Sequence, residues 1–236
     1  MISPVRLMLV TPIVVLATAV NTLAQDRPSE INKPFQNPDV AQYINRFESE
    51  SREVYVQRTA IVEAVGLKPG TAVADIGAGT GLFTRFFADI VGPEGKVYAV
   101  DIAKPFLEHI AREARRRGHA HVQTIQGTQE TTNLPPGSVD VAFLCDVYHH
   151  LEQHERILAS IHRALRPGGR LVVIEFDRRE GVSSDFIMKH VRAGKAQFLG
   201  EIATAGFAPL ETPDPPRFKE NFFATFRRVE PQAKPQ

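Results

Sequence analysis

Two acids lie at the ends of consecutive apolar runs, Asp75 next to last in AVADI and Asp101 last in KVYAVD, and a glycine turn made of Gly77, Gly79 and Gly81 follows the first. Glycines at that spacing let bare backbone approach a ligand closely. The pattern is G-x-G-x-G, one residue short of the G-x-G-x-x-G that seats a pyrophosphate on a helix, and no Lys follows as it does in a phosphate loop. A carboxylate at Asp75 repels a pyrophosphate and attracts a cation or an ammonium group. Asp101, 20 residues after Gly81, stands where an acid accepts both hydroxyls of a ribose. Together they select a ligand that carries a nucleoside and a positive charge.

A second group lies in CDVYHHLEQHE, which contains Asp146, Tyr148, His149, His150 and His154. Imidazole titrates near neutral pH and accepts protons from hydroxyl, thiol or ammonium groups. His149 and His150, with Asp146 beside them, are therefore the expected catalytic residues. Asp146, His149, His150, His154 and His190 also offer nitrogen and oxygen ligands to a metal, but no spacing among them fixes a site, and none is assigned. Cys145 closes the apolar run VAFLC and reads as a small buried hydrophobe.

These residues need a frame, and the hydrophobic pattern supplies one. Apolar runs at 72–76, 96–101, 121–125, 139–145 and 169–176 read as strands, and amphipathic stretches at 82–91, 105–117 and 154–165 read as helices between them. Strand and helix alternation is the signature of crossover units on a parallel sheet buried on both faces. Pro167-Gly168-Gly169 reads as a turn before the last of these strands. A further helix at 196–205 ends at Gly206, and FAPLE and NFFATFRRV then read as a strand pair joined by TPDPPRF. Upstream, 39–65 has helical spacing and is stopped by Leu67-Lys68-Pro69-Gly70.

With 236 residues, 43% of them hydrophobic, the chain can close one sizeable core. Arg6 precedes an apolar run at 7–20 and Thr22-Leu23-Ala24 follows it, the pattern of a cleaved signal peptide over 1–24. The run is shorter than the roughly 20 residues a spanning helix needs. Residues 25–37 are polar and proline-rich, an expected extended tether, and 231–236 a short tail. Removing 1–24 leaves 27 cations against 27 acids, so no net field draws the chain to nucleic acid. The basic cluster Arg112, Arg115, Arg116 and Arg117 late in a helix suits the dipole and faces water. A single cysteine excludes internal disulfides.

DIGAGTG, AVDI and LRPGGRLVV in that order resemble the motif series of the class I S-adenosylmethionine-dependent methyltransferases, from about Pro38 to the C-terminus. The resemblance implies an α/β, Rossmann-like three-layer sandwich over 38–230, with a seven-stranded, mostly parallel sheet, an antiparallel last strand and an N-terminal lid helix. It also implies that Asp75 and the backbone at Gly77 and Gly79 hold the amino-acid end of S-adenosyl-L-methionine, Asp101 the ribose and Ile102 the adenine. Where relatives carry an Asp beside the adenine, this chain has Gly127-Thr128-Gln129-Glu130, so Thr128 or Gln129 would serve the exocyclic amine. The Asn/Asp-Pro-Pro-aromatic motif of many enzymes that methylate amide or base nitrogens is replaced by Asp146-Val147-Tyr148-His149. A small-molecule or lipid acceptor is expected, with no nucleic acid, and membrane association only through the N-terminal segment.

Export and cofactor pull against each other, because S-adenosylmethionine is made in the cytoplasm and a leader without paired arginines implies export of an unfolded chain. Three arrangements follow: a periplasmic or secreted methyltransferase, the same enzyme held at the cytoplasmic side of a membrane, and a non-catalytic nucleoside-binding module.

Overall fold

The computed structural model describes residues 29–230. The signal peptide and tail read at 1–24 and 231–236 lie outside them. Seven strands form one sheet: β1 (Ala72–Ile76), β2 (Lys96–Asp101), β3 (Val122–Gln126), β4 (Val139–Cys145), β5 (Leu165–Phe176), β6 (Phe207–Leu210) and β7 (Asn221–Arg228). Their order is β3-β2-β1-β4-β5-β7-β6. Pairings from β3 through β5 are parallel, and β7 runs antiparallel to both its neighbours, as expected of the last strand. The chain leaves β1 toward β2 and β3 and returns on the other side at β4. The switch point, where ligands bind in open α/β sheets, therefore lies between β1 and β4.

Among the described residues, eight α-helices complete the layers: α1 (Val40–Phe47), α2 (Glu53–Val56), α3 (Arg58–Val65), α4 (Leu82–Val91), α5 (Lys104–Arg117), α6 (His154–Ala164), α7 (Asp185–His190) and α8 (Lys195–Thr204). The period of two along each strand assigns side chains to the two faces. Ala74, Ile76, Ala142, Leu144, Leu171 and Val173 pack toward Leu158 and Ile161 of α6 and Phe198 and Ile202 of α8. The alternate residues Val73, Val141, Phe143 and Val172 pack toward Ile61 and Val65 of α3 and Phe83 and Phe87 of α4. Asp75 has the parity of Val73, so its side chain belongs to the α4 face.

Four local expectations are corrected. The helical region 39–65 is three helices rather than a continuous run. It breaks after Phe47, where Ser49 bonds to the Arg46 carbonyl and to Ser51 and so competes with helix propagation. The tether read at 25–37 is not extended in its described part: Ser29–Phe35 is a 3-10 helix. It is held because Asn32, 6% exposed, donates to the His150 carbonyl and to Glu152. Pro167-Gly168-Gly169 is no turn before β5 but an irregularity within it. Val139 pairs with Leu165 and Val141 with Arg170, and the extra residues are absorbed at Gly168, whose φ is 77°. Finally, β3 is shifted one residue toward the C-terminus from its expected span.

Candidate active site at the β1–β4 switch point

The glycine turn is anchored to the end of β2. Gly77 N and Ala78 N donate to the Val100 carbonyl at 2.8 and 3.0 Å, and Gly79 N donates to Asp101 Oδ2 at 2.8 Å. All three glycines have left-handed φ, 71°, 53° and 78°. Space is as restrictive as conformation at two of them. A Cβ on Gly77 would lie 2.4 Å from a Val147 methyl, and one on Gly81 would lie 2.7 Å from Ile110. The turn is thus wedged between the segment after β4 and α5. Above Gly79 lies the ring of Phe47 from the end of α1.

Asp75 is turned inward. It is 3% exposed, and its Oδ2 accepts from the Thr84 hydroxyl at 2.6 Å. Burial raises its carboxyl to about 7, against the lowering effect of that bond. The expectation set this carboxylate against a ligand's ammonium group; the strand parity directs it instead to the first turn of α4.

Asp101 stands where the expectation placed it, at the end of β2 and 8% exposed. Besides Gly79 N, it accepts Ala103 N at 2.8 Å through Oδ1. Burial pushes its carboxyl up, and the backbone donors pull it down. An ionised carboxylate has about four acceptor sites, so lone pairs remain for a further donor. Ile102 beside it is 37% exposed, an uncovered apolar surface next to the acid. Thr128 is exposed and spends its hydroxyl on the backbone N–H groups of Glu130 and Thr131, which leaves half-buried Gln129 as the less committed of the pair.

The residues after β4 carry the second half of the site. Asp146 has φ 53°, tolerated by Asp, and its nearly buried carboxylate binds the Arg52 guanidinium and accepts from Asn221 Nδ2 at 2.6 Å. Burial raises this carboxyl to about 6, with Arg52 lowering it in opposition. Arg52 belongs to the segment between α1 and α2 that crosses the site, and its guanidinium lies 5.0 Å from the Phe47 ring centroid. Two acids flanking that stretch, Glu48 and Glu53, fasten it to the rest of the fold. Glu48 binds Arg85 and the Thr80 hydroxyl, and Glu53 accepts the backbone N–H groups of Lys219, Glu220 and Asn221.

His149 is 1% exposed. Its backbone N–H and its Nδ1–H both donate to Glu175, at 3.0 and 2.8 Å. Its Nε2 is buried and has no hydrogen-bond partner among the described residues. His150 is half-buried and has its Nδ1 3.2 Å from Asn32 Oδ1. Because the Asn32 amide nitrogen donates to two oxygens, Oδ1 is the acceptor there and His150 Nδ1 carries the proton. The third ring is His190 of α7, with ring centroids 5.0 Å from His149 and 5.2 Å from His150. Burial is the main cause that holds His190 at about 4 and therefore neutral at pH 7. His154 stands apart, 3.7 Å from Glu201. Cys145 keeps its proton, because burial raises its thiol well above the ordinary value.

Sequence reasoning missed Arg52, Asn221, Asn32 and Glu175. Only Glu175 had a signal, as an acid inside the apolar run LVVIEF. In the fold it is 0% exposed.

Residues 74–173 match the family model of a methyltransferase domain. Over 118 residues, 50% of this chain, the sequence is 38% identical to the ubiquinone/menaquinone biosynthesis C-methyltransferase UbiE of Ectopseudomonas mendocina, of which the match covers 46%. Against the UbiE of Hahella chejuensis it is 31% identical over 118 residues, covering 47% of that protein. The chain thus spans about half the length of the curated relatives it matches. A SAM-dependent methyltransferase from Aquifex aeolicus superposes with a TM-score of 0.69 at 22% identity, covering 82% of this chain and 100% of that one. Geranyl diphosphate methyltransferase in complex with SAM superposes at 0.61 and 16% identity, covering 77% and 93%. At these identities the structures share the fold.

Proposed function

We propose that the chain is an S-adenosylmethionine-dependent methyltransferase that acts on an apolar small molecule or lipid. The observation that carries this reading is the joined edge of β1 and β2. The glycine turn and Asp101 are hydrogen-bonded into one unit beside the switch point, with uncovered Ile102 next to the acid, within the stretch that matches a methyltransferase domain. These residues fit the cofactor: Asp101 retains acceptor capacity for ribose hydroxyls, Ile102 offers a flat apolar contact, and the glycines leave backbone within reach. When bound, S-adenosylmethionine supplies an electrophilic methyl group for in-line transfer to a nucleophilic atom.

In this reading Asp75 acts indirectly, holding the turn to α4 through Thr84. Phe47 and the segment that follows exclude water from the turn, so ligand exchange requires α1 to lift. Asp146, His149 and His150 form the acceptor side. His150, with its proton on Nδ1, presents the lone pair of Nε2 to an acceptor hydroxyl or thiol, while Asp146 and the His149–Glu175 pair hold the wall in place. An apolar acceptor is supported by exposed Val182 and Phe186, the latter lining an open hollow of about 320 Å³ beside His190. It is also supported by the quinone-pathway relatives, whose names specify C-methylation.

The test is methyl transfer from labelled S-adenosylmethionine by the full chain to a cell extract separated into lipid, small-molecule, protein and nucleic-acid fractions. Label in the lipid or small-molecule fraction is expected, and label confined to protein or nucleic acid overturns the acceptor class. Saturable cofactor binding without transfer to any fraction leaves the non-catalytic nucleoside-binding module. We further propose, from the leader-like residues 1–24, that the enzyme is exported to the periplasm or secreted. No helix among the described residues is long and apolar enough to cross a membrane. A chain protected from protease in intact cells would replace export with attachment at the cytoplasmic side.

A further inference from the structure

His149, His150 and His190 come from two places far apart in the sequence, yet each offers a ring nitrogen and the three nitrogens lie within 4.8 Å of one another. We infer that these three histidines form a binding site for a single divalent transition-metal ion of the zinc type.

Three features separate this cluster from histidines that are merely packed together. The first is the orphaned nitrogen. His149 is 1% exposed, its Nδ1–H is held by Glu175, and its Nε2 lone pair meets no donor among the described residues. A buried acceptor is normally satisfied, and each exception calls for an explanation such as an ion. The second is the set of outer partners. Glu175 accepts Nδ1–H of His149 and Asn32 Oδ1 accepts Nδ1–H of His150, so both rings are fixed in the tautomer whose lone pair is on Nε2. A carboxylate or carbonyl on the far ring nitrogen is how proteins orient metal-ligating histidines. Glu175 is itself fixed, because it also accepts the backbone N–H groups of His149 and Phe176.

The third feature is access. Asp185, Phe186, Lys189 and His190 line the open hollow of about 320 Å³, and Phe186 stacks on His190 with ring centroids 4.9 Å apart. His190 therefore connects the buried pair to solvent. Three imidazoles favour zinc, cobalt, nickel or copper over magnesium or calcium, which prefer oxygen donors. Zinc–nitrogen bonds of about 2.0–2.1 Å in a tetrahedral site bring ligand nitrogens to about 3.4 Å from one another, so the rings must close inward on binding. Three protein ligands leave one coordination position for water or a substrate atom. The site does not depend on the methyl-transfer reading, but its use does. With the ion bound, the His150 lone pair is occupied, and an acceptor hydroxyl or thiol in the fourth position would lose its proton to solvent more easily than when free.

The test uses the full chain, stripped with a chelator and dialysed. Zn²⁺ is titrated by calorimetry, Co²⁺ by its visible absorption, and Mg²⁺ is the control. One Zn²⁺ per chain and a tetrahedral Co²⁺ spectrum are expected, with no Mg²⁺ uptake. His190→Ala and His150→Ala should each weaken Zn²⁺ at least 100-fold while the metal-free melting temperature stays near that of the parent, and Glu175→Gln should weaken it about 10–100-fold. Absence of Zn²⁺ binding, or affinity unchanged in both histidine variants, overturns the site. Because these two histidines retain exposed surface, the outcome does not depend on whether a variant at buried His149 folds. Binding of S-adenosylmethionine to the metal-free protein is measured in parallel. Zn²⁺ uptake without cofactor binding supports the metal site and removes only the cofactor reading.

Discussion

Arg52 and Asp146 lie 94 residues apart in the chain and form an ion pair that ties the segment after α1 to the end of β4. Asn221, from the start of β7, completes the Asp146 carboxylate. One acid thus joins the crossing segment, the end of β4 and the antiparallel strand.

Arg52→Ala removes the cation from a carboxylate with 7% side-chain exposure and should cost about 1–3 kcal/mol of stability, with Arg52→Lys recovering part of it. The local effect should exceed the global one. Amide hydrogen exchange is expected to accelerate across residues 47–57 before the sheet responds, and equal protection in variant and parent would mean that the pair does not hold the segment.

Asp101→Ala should reduce affinity for S-adenosylmethionine by tenfold or more, since it removes both the proposed ribose acceptor and the partner of Gly79 N. Asp101→Asn keeps one acceptor oxygen and should fall between. Calorimetric titration distinguishes the three proteins, and identical affinities would remove Asp101 from the cofactor site.

Asp75 gives stability a pH dependence. Its folded value of about 7 lies above the ordinary carboxylate value of 3.8, so its contribution is fully present below about pH 4 and is lost as pH rises to about 7. Asp75→Asn cannot ionise. The parent should therefore be favoured over the variant more at pH 5 than at pH 8, by roughly 2–4 kcal/mol, in paired urea unfolding curves. A difference that does not change with pH would show that Asp75 is not held protonated.

Gly77→Ala sets a methyl group against Val147 at a left-handed φ of 71°. Two costs combine, conformational strain and displacement of the segment that carries Asp146, His149 and His150. A loss of about 1–3 kcal/mol is expected. Adding Val147→Ala should restore only the steric part, leaving a remainder of about 1 kcal/mol that the backbone imposes. Full rescue by the second change would mean that φ contributes nothing.

The repeating parts of this fold were legible in the sequence because a buried parallel strand must be an almost unbroken apolar run and an amphipathic helix must repeat every 3.6 residues. AVADI, VAFLC and LVVIEF accordingly lie in strands. The glycine turn was legible because only glycine fits its left-handed backbone and its contacts with Val147 and Ile110. Less regular stretches misled. Serine side chains that bond to nearby backbone and to one another divided the helix expected over 39–65, and a long-range bond network through Asn32 wound the supposed tether into a 3-10 helix.

The sequence by itself determined the alternation of strands and helices and the position of the glycine turn, which follow from patterns within a few neighbouring residues, while the antiparallel last strand came with the family resemblance and the placing of Asp101 with the spacing of two strand ends. Only the tertiary structure decided that Asp75 faces α4, that Asp146 is bound by Arg52 and Asn221, and that His190 joins His149 and His150 above Glu175. Those relations depend on which strand edges and loops meet when the sheet closes, and residues far apart in the chain carry no local signature of the partners that packing will bring to them.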